Sequence, residues 1–171
     1  MKDEYYTTSD AIEPIIKYID RSKIKTILAP FDTKDSNYVK ILKREGFKVV
    51  YTHISTGKDF FTYTKEELEG IDMIISNPPF SRQWEIIAKC YELDKPFMLL
   101  IKYNGMFESI AKREMFRDKL QLLILNKKCR YMKDYAKPNE LYQIPFTSYI
   151  AYNILKRDIV IEAGEENGTT K

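Results

Sequence analysis

The chain is poor in the residues that build thiol and imidazole chemistry: two cysteines, Cys90 and Cys129, and one histidine, His53, among 171 residues. Neither cysteine belongs to a CxxC pair, so no zinc site of thiols and imidazoles is expected, and no metal. No apolar run approaches the roughly 18–20 residues of a transmembrane helix. The opening residues, MKDEYYTTSD, are polar and acidic, unlike the apolar stretch of a secretory leader. These absences give the expectation of a cytoplasmic protein with reduced thiols and no membrane partner. Charge of one sign is scarce too. Against 25 Asp+Glu stand 28 Lys+Arg, a net +3, which permits a nucleic-acid partner through a local patch without requiring one.

Hydrophobic residues make up 44% and aromatics 13%, with 13 Tyr and 9 Phe, enough for a real core and too many for extended disorder. One domain over residues 1–163 is expected, followed by a flexible polar tail, 164–171. Residues 11–20 carry Ile12, Ile15, Ile16 and Ile19 at helical spacing behind the capping candidates Thr7, Thr8, Ser9 and Asp10. Further helices are predicted over 38–45, ended by Gly46, and over 64–69, 83–93 and 107–118. Between them, apolar β-rich runs at 24–30, 47–54, 71–76, 96–102 and 120–125 read as strands. Strands that alternate with helices and are apolar throughout predict an α/β fold with a mostly parallel sheet covered on both faces. After Asn126 the chain turns polar and basic. Residues 146–155 then read as a strand able to pair antiparallel, extended at 158–162, which predicts a C-terminal antiparallel hairpin at the sheet edge.

One tetrapeptide stands out, Asn77-Pro78-Pro79-Phe80, directly after an apolar strand and before a helix. Ligands of doubly wound sheets bind at the carboxyl ends of strands, where this loop falls. Two prolines fix φ at adjacent positions and remove two backbone donors. The Asn77 side-chain oxygen and the Pro78 carbonyl then serve as fixed acceptors beside the Phe80 ring. Such a corner suits a planar group bearing an NH2. The same residues also suit a rigid strand-to-helix turn with Phe80 tucked into the core, and Trp84 reads as core.

In this order, strand–NPPF–helix resembles the signature of class I S-adenosylmethionine-dependent amino-methyltransferases acting on the N6 amine of adenine. The wider run from TTSDAIEPIIKYI through IDMIISNPPFSRQWEIIAKCYELDKPFMLLIKYNGM looks like small phage and mobile-element proteins of that kind. The resemblance implies a Rossmann-like methyltransferase sheet. It implies direct methyl transfer to adenine N6 in nucleic acid, with DNA the expected polymer. Asn77, Pro78, Pro79 and Phe80 would form the base site, where a flipped or single-stranded adenine stacks on Phe80. The implied cofactor is S-adenosylmethionine. Its candidate contacts are Tyr6 and Thr8 near the N-terminus, Pro30, Phe31 and Asp32 after the first strand, His53 after the second, and the pair Asp59-Phe60.

The stretch after the first strand departs from the family pattern. Ala29 stands where an acid is usual, and Thr33 and Asp35 stand where two glycines let backbone approach the cofactor. At the end of the second strand, Thr52-His53 replaces the acid that grips the ribose hydroxyls. Two outcomes stay open. Asp32 contacts the cofactor's ammonium group and the enzyme works, or the chain is an inactive relative that binds nucleic acid or a protein partner, such as a phage-encoded antagonist of a host system. For nucleic acid, the interleaved basic and aromatic residues Lys127, Lys128, Arg130, Tyr131 and Lys133 are the candidate contacts, with a solvated loop whose tyrosines pack on the sheet as the alternative.

Overall fold

The computed structural model describes residues 5–126, 129–133, 137, 139–144 and 147–163. In the first half of the chain lie β1 (Tyr6–Thr7), α1 (Ser9–Ile12), β2 (Thr26–Ala29), α2 (Asn37–Arg44), β3 (Lys48–Tyr51) and β4 (Met73–Ser76). Next come α3 (Gln83–Leu93), β5 (Phe97–Lys102), α4 (Ile110–Phe116) and β6 (Gln121–Ile124). The last strands are β7 (Arg130–Met132), β8 (Leu141–Gln143), β9 (Thr147–Tyr152) and β10 (Ile159–Ile161).

The expected α/β architecture is present, with a seven-stranded sheet in the order β10-β6-β9-β5-β4-β2-β3. Strands β2, β3, β4 and β5 run parallel, as do β6 and β10, while β9 runs antiparallel to both of its neighbours. A separate antiparallel sheet of three short strands has the order β1-β7-β8.

Both faces of the large sheet are covered. Along β5, Met98 and Leu100 join a cluster with Ile12, Ile15 and Leu42, whereas Phe97, Leu99 and Ile101 join one with Ile86, Ile87 and Leu93. This is the two-residue period of a strand buried on both sides, which is why its sequence is apolar throughout.

Two expectations are corrected. The final two strands do not form a hairpin: β9 inserts between β5 and β6, and β10 pairs with the far side of β6. Burial explains the placement. Tyr149, Ile150 and Ala151 of β9 are wholly buried, as a central strand requires, whereas Ile159 and Ile161 of β10 are 56% and 69% exposed at an edge. The helix expected over 11–20 is α-helical only through Ile12 and continues as a 3-10 helix over Glu13–Tyr18. Pro14 has no N–H to close onto the carbonyl four residues back, so the α ladder stops there.

Other elements are trimmed. The run 47–54 pairs only over Lys48–Tyr51 before a 3-10 turn at Ile54–Thr56, and 64–69 yields a 3-10 turn at Glu66–Leu68. Gly46, at φ 89°, ends α2 as expected. No helix among the described residues is long and apolar enough to cross a membrane. The proposed tail 164–171 lies outside the described residues.

Candidate functional site

From β2 the chain first adds β3 on one side and later returns to add β4 on the other, so strand order reverses between β2 and β4. Doubly wound sheets bind ligands in the crevice beyond the carboxyl ends at such a point. A cavity of about 240 Å³ lies there. Its walls include Pro30 and Phe31 after β2, His53 after β3, and Asp59 with Phe60 from the following turn. Asn77, Pro78, Pro79 and Phe80 form the wall after β4, and Tyr6 closes the N-terminal side. Ten residues picked from widely separated parts of the sequence therefore share one cavity.

Local physics holds each wall. Phe60 is buried and its ring meets Phe31 edge-on at 5.0 Å. Asp59 caps the 3-10 turn Phe60–Thr62, its Oδ1 accepting the Phe61 N–H at 3.0 Å. His53 Nδ1 lies 2.6 Å from Ser55 Oγ and caps the turn Ile54–Thr56. After β4, the Pro79 carbonyl accepts the Arg82 N–H at 3.1 Å, which closes the turn into α3. Gln83, buried at the start of α3, donates to the Lys102 carbonyl at 2.7 Å and accepts the Lys102 N–H at 2.9 Å. That two-way contact ties the turn to the end of β5.

Asn77 is the most informative residue of the wall. Its Nδ2 donates to the Tyr5 carbonyl at 2.9 Å, and its Oδ1 is buried without a hydrogen-bond partner. An amide flip would set oxygen against oxygen at Tyr5, so the orientation is determined and the open valence is an acceptor. Phe80 lies in a three-ring group, 6.3 Å from Tyr5 and 6.1 Å from Tyr131.

Two cofactor candidates are not brought to the cavity. Thr8 turns to Asp10 and to the Arg130 carbonyl, the latter at 3.0 Å. Asp32 is buried below the loop, its backbone N–H on the Thr52 carbonyl at 3.1 Å and its carboxylate accepting from Ser76. Burial pushes the Asp32 carboxyl up to about 6, against the lowering effect of its hydrogen bonds from Ser76 and Ser36. One of the two outcomes left open above has Asp32 contact the cofactor's ammonium group. The apolar surroundings instead enclose it with two hydroxyls.

The basic segment is likewise rearranged. Tyr131 is wholly buried, so its ring offers no face to a base, and Arg130 pairs with Asp10 at 2.8 Å. Lys133 is exposed, its Nζ 4.7 Å from the Tyr142 ring centre. Lys127 and Lys128 lie outside the described residues.

Sequence reasoning missed six lining residues, Tyr5, Ile54, Lys58, Phe61, Arg82 and Ile86. Arg82 stacks over Phe61 at 4.1 Å while paired with Glu85 at 2.7 Å, and Lys58 pairs with Glu67 at 2.6 Å. Tyr5, Ile54, Lys58 and Phe61 adjoin chosen positions, whereas nothing local marked Arg82 or Ile86. Among the described residues no group of His, Cys, Asp and Glu is arranged to hold a metal ion. No family model matches this chain, and no curated protein matches it.

Proposed function

We propose that the protein transfers a methyl group from S-adenosylmethionine to the exocyclic N6 amine of adenine in nucleic acid, with a methyltransferase-type sheet as its scaffold. One observation carries this reading. On the wall of a cavity at the strand-order reversal, Asn77 holds a buried, unpartnered acceptor whose direction is fixed by Tyr5. Buried acceptors without partners are uncommon in folded proteins and invite a ligand donor.

The cavity suits the nucleoside half of the cofactor. Phe31 and Phe60 supply aromatic surface, and Asp59 keeps its second carboxylate oxygen for a hydroxyl or amine, since Oδ1 is used by Phe61. His53 lines the cavity where the family pattern has the ribose acid. When bound, the cofactor supplies a methyl already activated by a cationic sulfur. The chain's own residues then position. Asn77 Oδ1 and the Pro78 carbonyl accept the two amine hydrogens, which turns the N6 lone pair toward the cavity, and Phe80 supports the ring. Positioning and electrostatics of this kind need no protein nucleophile.

A second reading is favoured by Asp32, which is sealed against Ser76 rather than facing the cavity. With no acid for the cofactor's ammonium end, the chain acts as a binding protein that keeps the fold without the transfer. Incubating the protein with isotopically labelled S-adenosylmethionine and adenine-containing oligonucleotides decides between them. Label recovered as N6-methyladenine supports the transferase; oligonucleotide binding with no label transferred supports the second reading.

A further inference from the structure

A base held at Asn77 and Phe80 carries a sugar and a phosphate that remain outside, at the rim of the cavity. Phe80 and Arg82 belong to one 3-10 turn, Phe80–Arg82, and both line the cavity. Ring and guanidinium therefore leave the chain two residues apart, close enough to meet the two ends of one nucleotide.

Charge at this rim favours an anion. Among the described lining residues Lys58 and Arg82 are the cationic side chains, and Asp59, which caps its own turn, is the one carboxylate. Glu67 and Glu85 pair with Lys58 and Arg82 at 2.6 and 2.7 Å, but neither belongs to the lining.

Arg82 is held in a particular way. Its guanidinium carbon stands 4.1 Å from the centre of the Phe61 ring, so one face of the group is covered. Nε and Nη2 both donate to the same atom, Glu85 Oε2, at 3.1 and 2.7 Å. Nη1 donates to nothing among the described residues. Stacking fixes the plane of the guanidinium and leaves N–H groups along its edge, the geometry in which arginine meets a phosphate. The Arg82 and Glu85 side chains are 50% and 59% exposed, and an ion pair this open to water holds its partners weakly.

We propose that Arg82, stacked on Phe61, binds the phosphodiester next to the methylated adenine, with Lys58 as a second cation on the same rim. The proposal rests on the adenine-amine reading above and adds the substrate class: the acceptor is a nucleotide within a strand, not a free base or nucleoside. Phosphate contacts of this kind set register, while Asn77 and Phe80 meet the base.

The test compares the full-length chain with Arg82→Gln and Arg82→Lys in binding a short fluorescent single-stranded oligonucleotide containing one adenine. A companion strand carries uncharged methylphosphonates in place of the two phosphates flanking the adenine. The unaltered protein should bind that companion about tenfold more weakly. Arg82→Gln should bind the all-phosphate strand about tenfold more weakly, show a smaller methylphosphonate penalty, and have a salt slope shallower by about 0.7. Arg82→Lys keeps the charge without the planar fork and should recover only part of the loss. Unchanged affinity in Arg82→Gln overturns the contact, as does a methylphosphonate penalty of equal size in both proteins.

Failure of the adenine reading gives a different pattern. A strand with thymine in place of the adenine, bound as tightly and weakened as much by Arg82→Gln, refutes that reading and keeps the phosphate contact. A preference for the adenine strand with no effect of Arg82→Gln keeps the reading and refutes the contact. Adenosine monophosphate competing as well as the unlabelled strand overturns the polymer as the source of the phosphate.

Discussion

Asn77 and Tyr5, separated by 72 positions in sequence, are joined by a hydrogen bond of 2.9 Å from the Asn77 amide to the Tyr5 carbonyl. That bond removes the ambiguity of an asparagine side chain, which otherwise presents a donor and an acceptor of nearly equal shape. With the donor engaged, the remaining oxygen can be satisfied only by an N–H or O–H.

Removing this oxygen separates chemistry from cofactor binding. Asn77→Ala should lower the rate of methyl transfer by roughly a hundredfold or more, the scale on which a single positioned hydrogen-bonding group acts in catalysis. Affinity for S-adenosylmethionine should stay within about twofold, a difference of under ~0.5 kcal/mol. Single-turnover kinetics alongside equilibrium dialysis reads both. Equal loss of both contradicts the assignment of Asn77 to the base.

Asp32 sets a pH dependence of stability. Its carboxyl titrates near 6 in the folded chain against an ordinary value of 3.8, because burial disfavours the charge. Between those values the folded state holds the proton and the unfolded state does not, so stability rises as pH falls from about 6 to about 4, by up to about 3 kcal/mol. Asp32→Asn removes the step and stabilises the protein near neutral pH by about 1–3 kcal/mol. Urea titrations of both proteins across this window give the answer. Parallel pH profiles for the two proteins contradict it.

Gln83 is a structural clamp beside the site. It is 4% exposed and meets both backbone polar groups of Lys102. Gln83→Ala leaves the two without that partner and should cost about 2–4 kcal/mol, a group left unsatisfied costing about 1–3 kcal/mol. Gln83→Glu keeps an acceptor for the Lys102 N–H but can donate to the Lys102 carbonyl only when its carboxyl is protonated, so its deficit should shrink as pH falls. Chemical denaturation at neutral and acid pH compares the three proteins, and a Gln83→Glu deficit that does not shrink relative to Gln83→Ala on acidification contradicts the clamp.

The hydroxyls of Tyr38 and Tyr149 lie 2.6 Å apart inside the core, and the Tyr149 hydroxyl donates to the Ala11 carbonyl at 3.1 Å. Burial raises the ionisation of both phenols well above their ordinary range, so neither carries charge at neutral pH. Tyr149→Phe deprives Ala11 and Tyr38 together and should cost more than Tyr38→Phe, which leaves the Ala11 contact intact. The double variant should cost less than the sum of the singles, by about 0.5–1.5 kcal/mol. Strict additivity contradicts a coupled pair.

The strands of the large sheet and the turn at Asn77–Phe80 were legible because local patterns determine them. An apolar run such as 96–102 declares a strand buried on both faces, and two prolines after a strand declare a rigid corner. What could not be read depended on partners distant in sequence. Nothing local in TTSD says that β1 pairs with β7, and strands of two or three residues carry too little alternation to register. Asp32 is buried with its carboxylate on the Ser76 hydroxyl, 44 positions away, a partner that the charge pattern of the loop does not disclose. Tyr131 was chosen for a base because it stands among lysines, yet its ring is buried edge-on against Tyr5 and Phe80. The strand at 147–152 was found, but its place between β5 and β6 follows from total burial rather than from any local signal.

Titration calorimetry of the purified protein with S-adenosylmethionine decides whether the cavity holds the cofactor. Saturable binding to one site per chain is expected, weakened at least about tenfold by Asp59→Ala and preserved in Asn77→Ala. An absence of binding heat up to millimolar S-adenosylmethionine, with the protein shown to be folded, would contradict it.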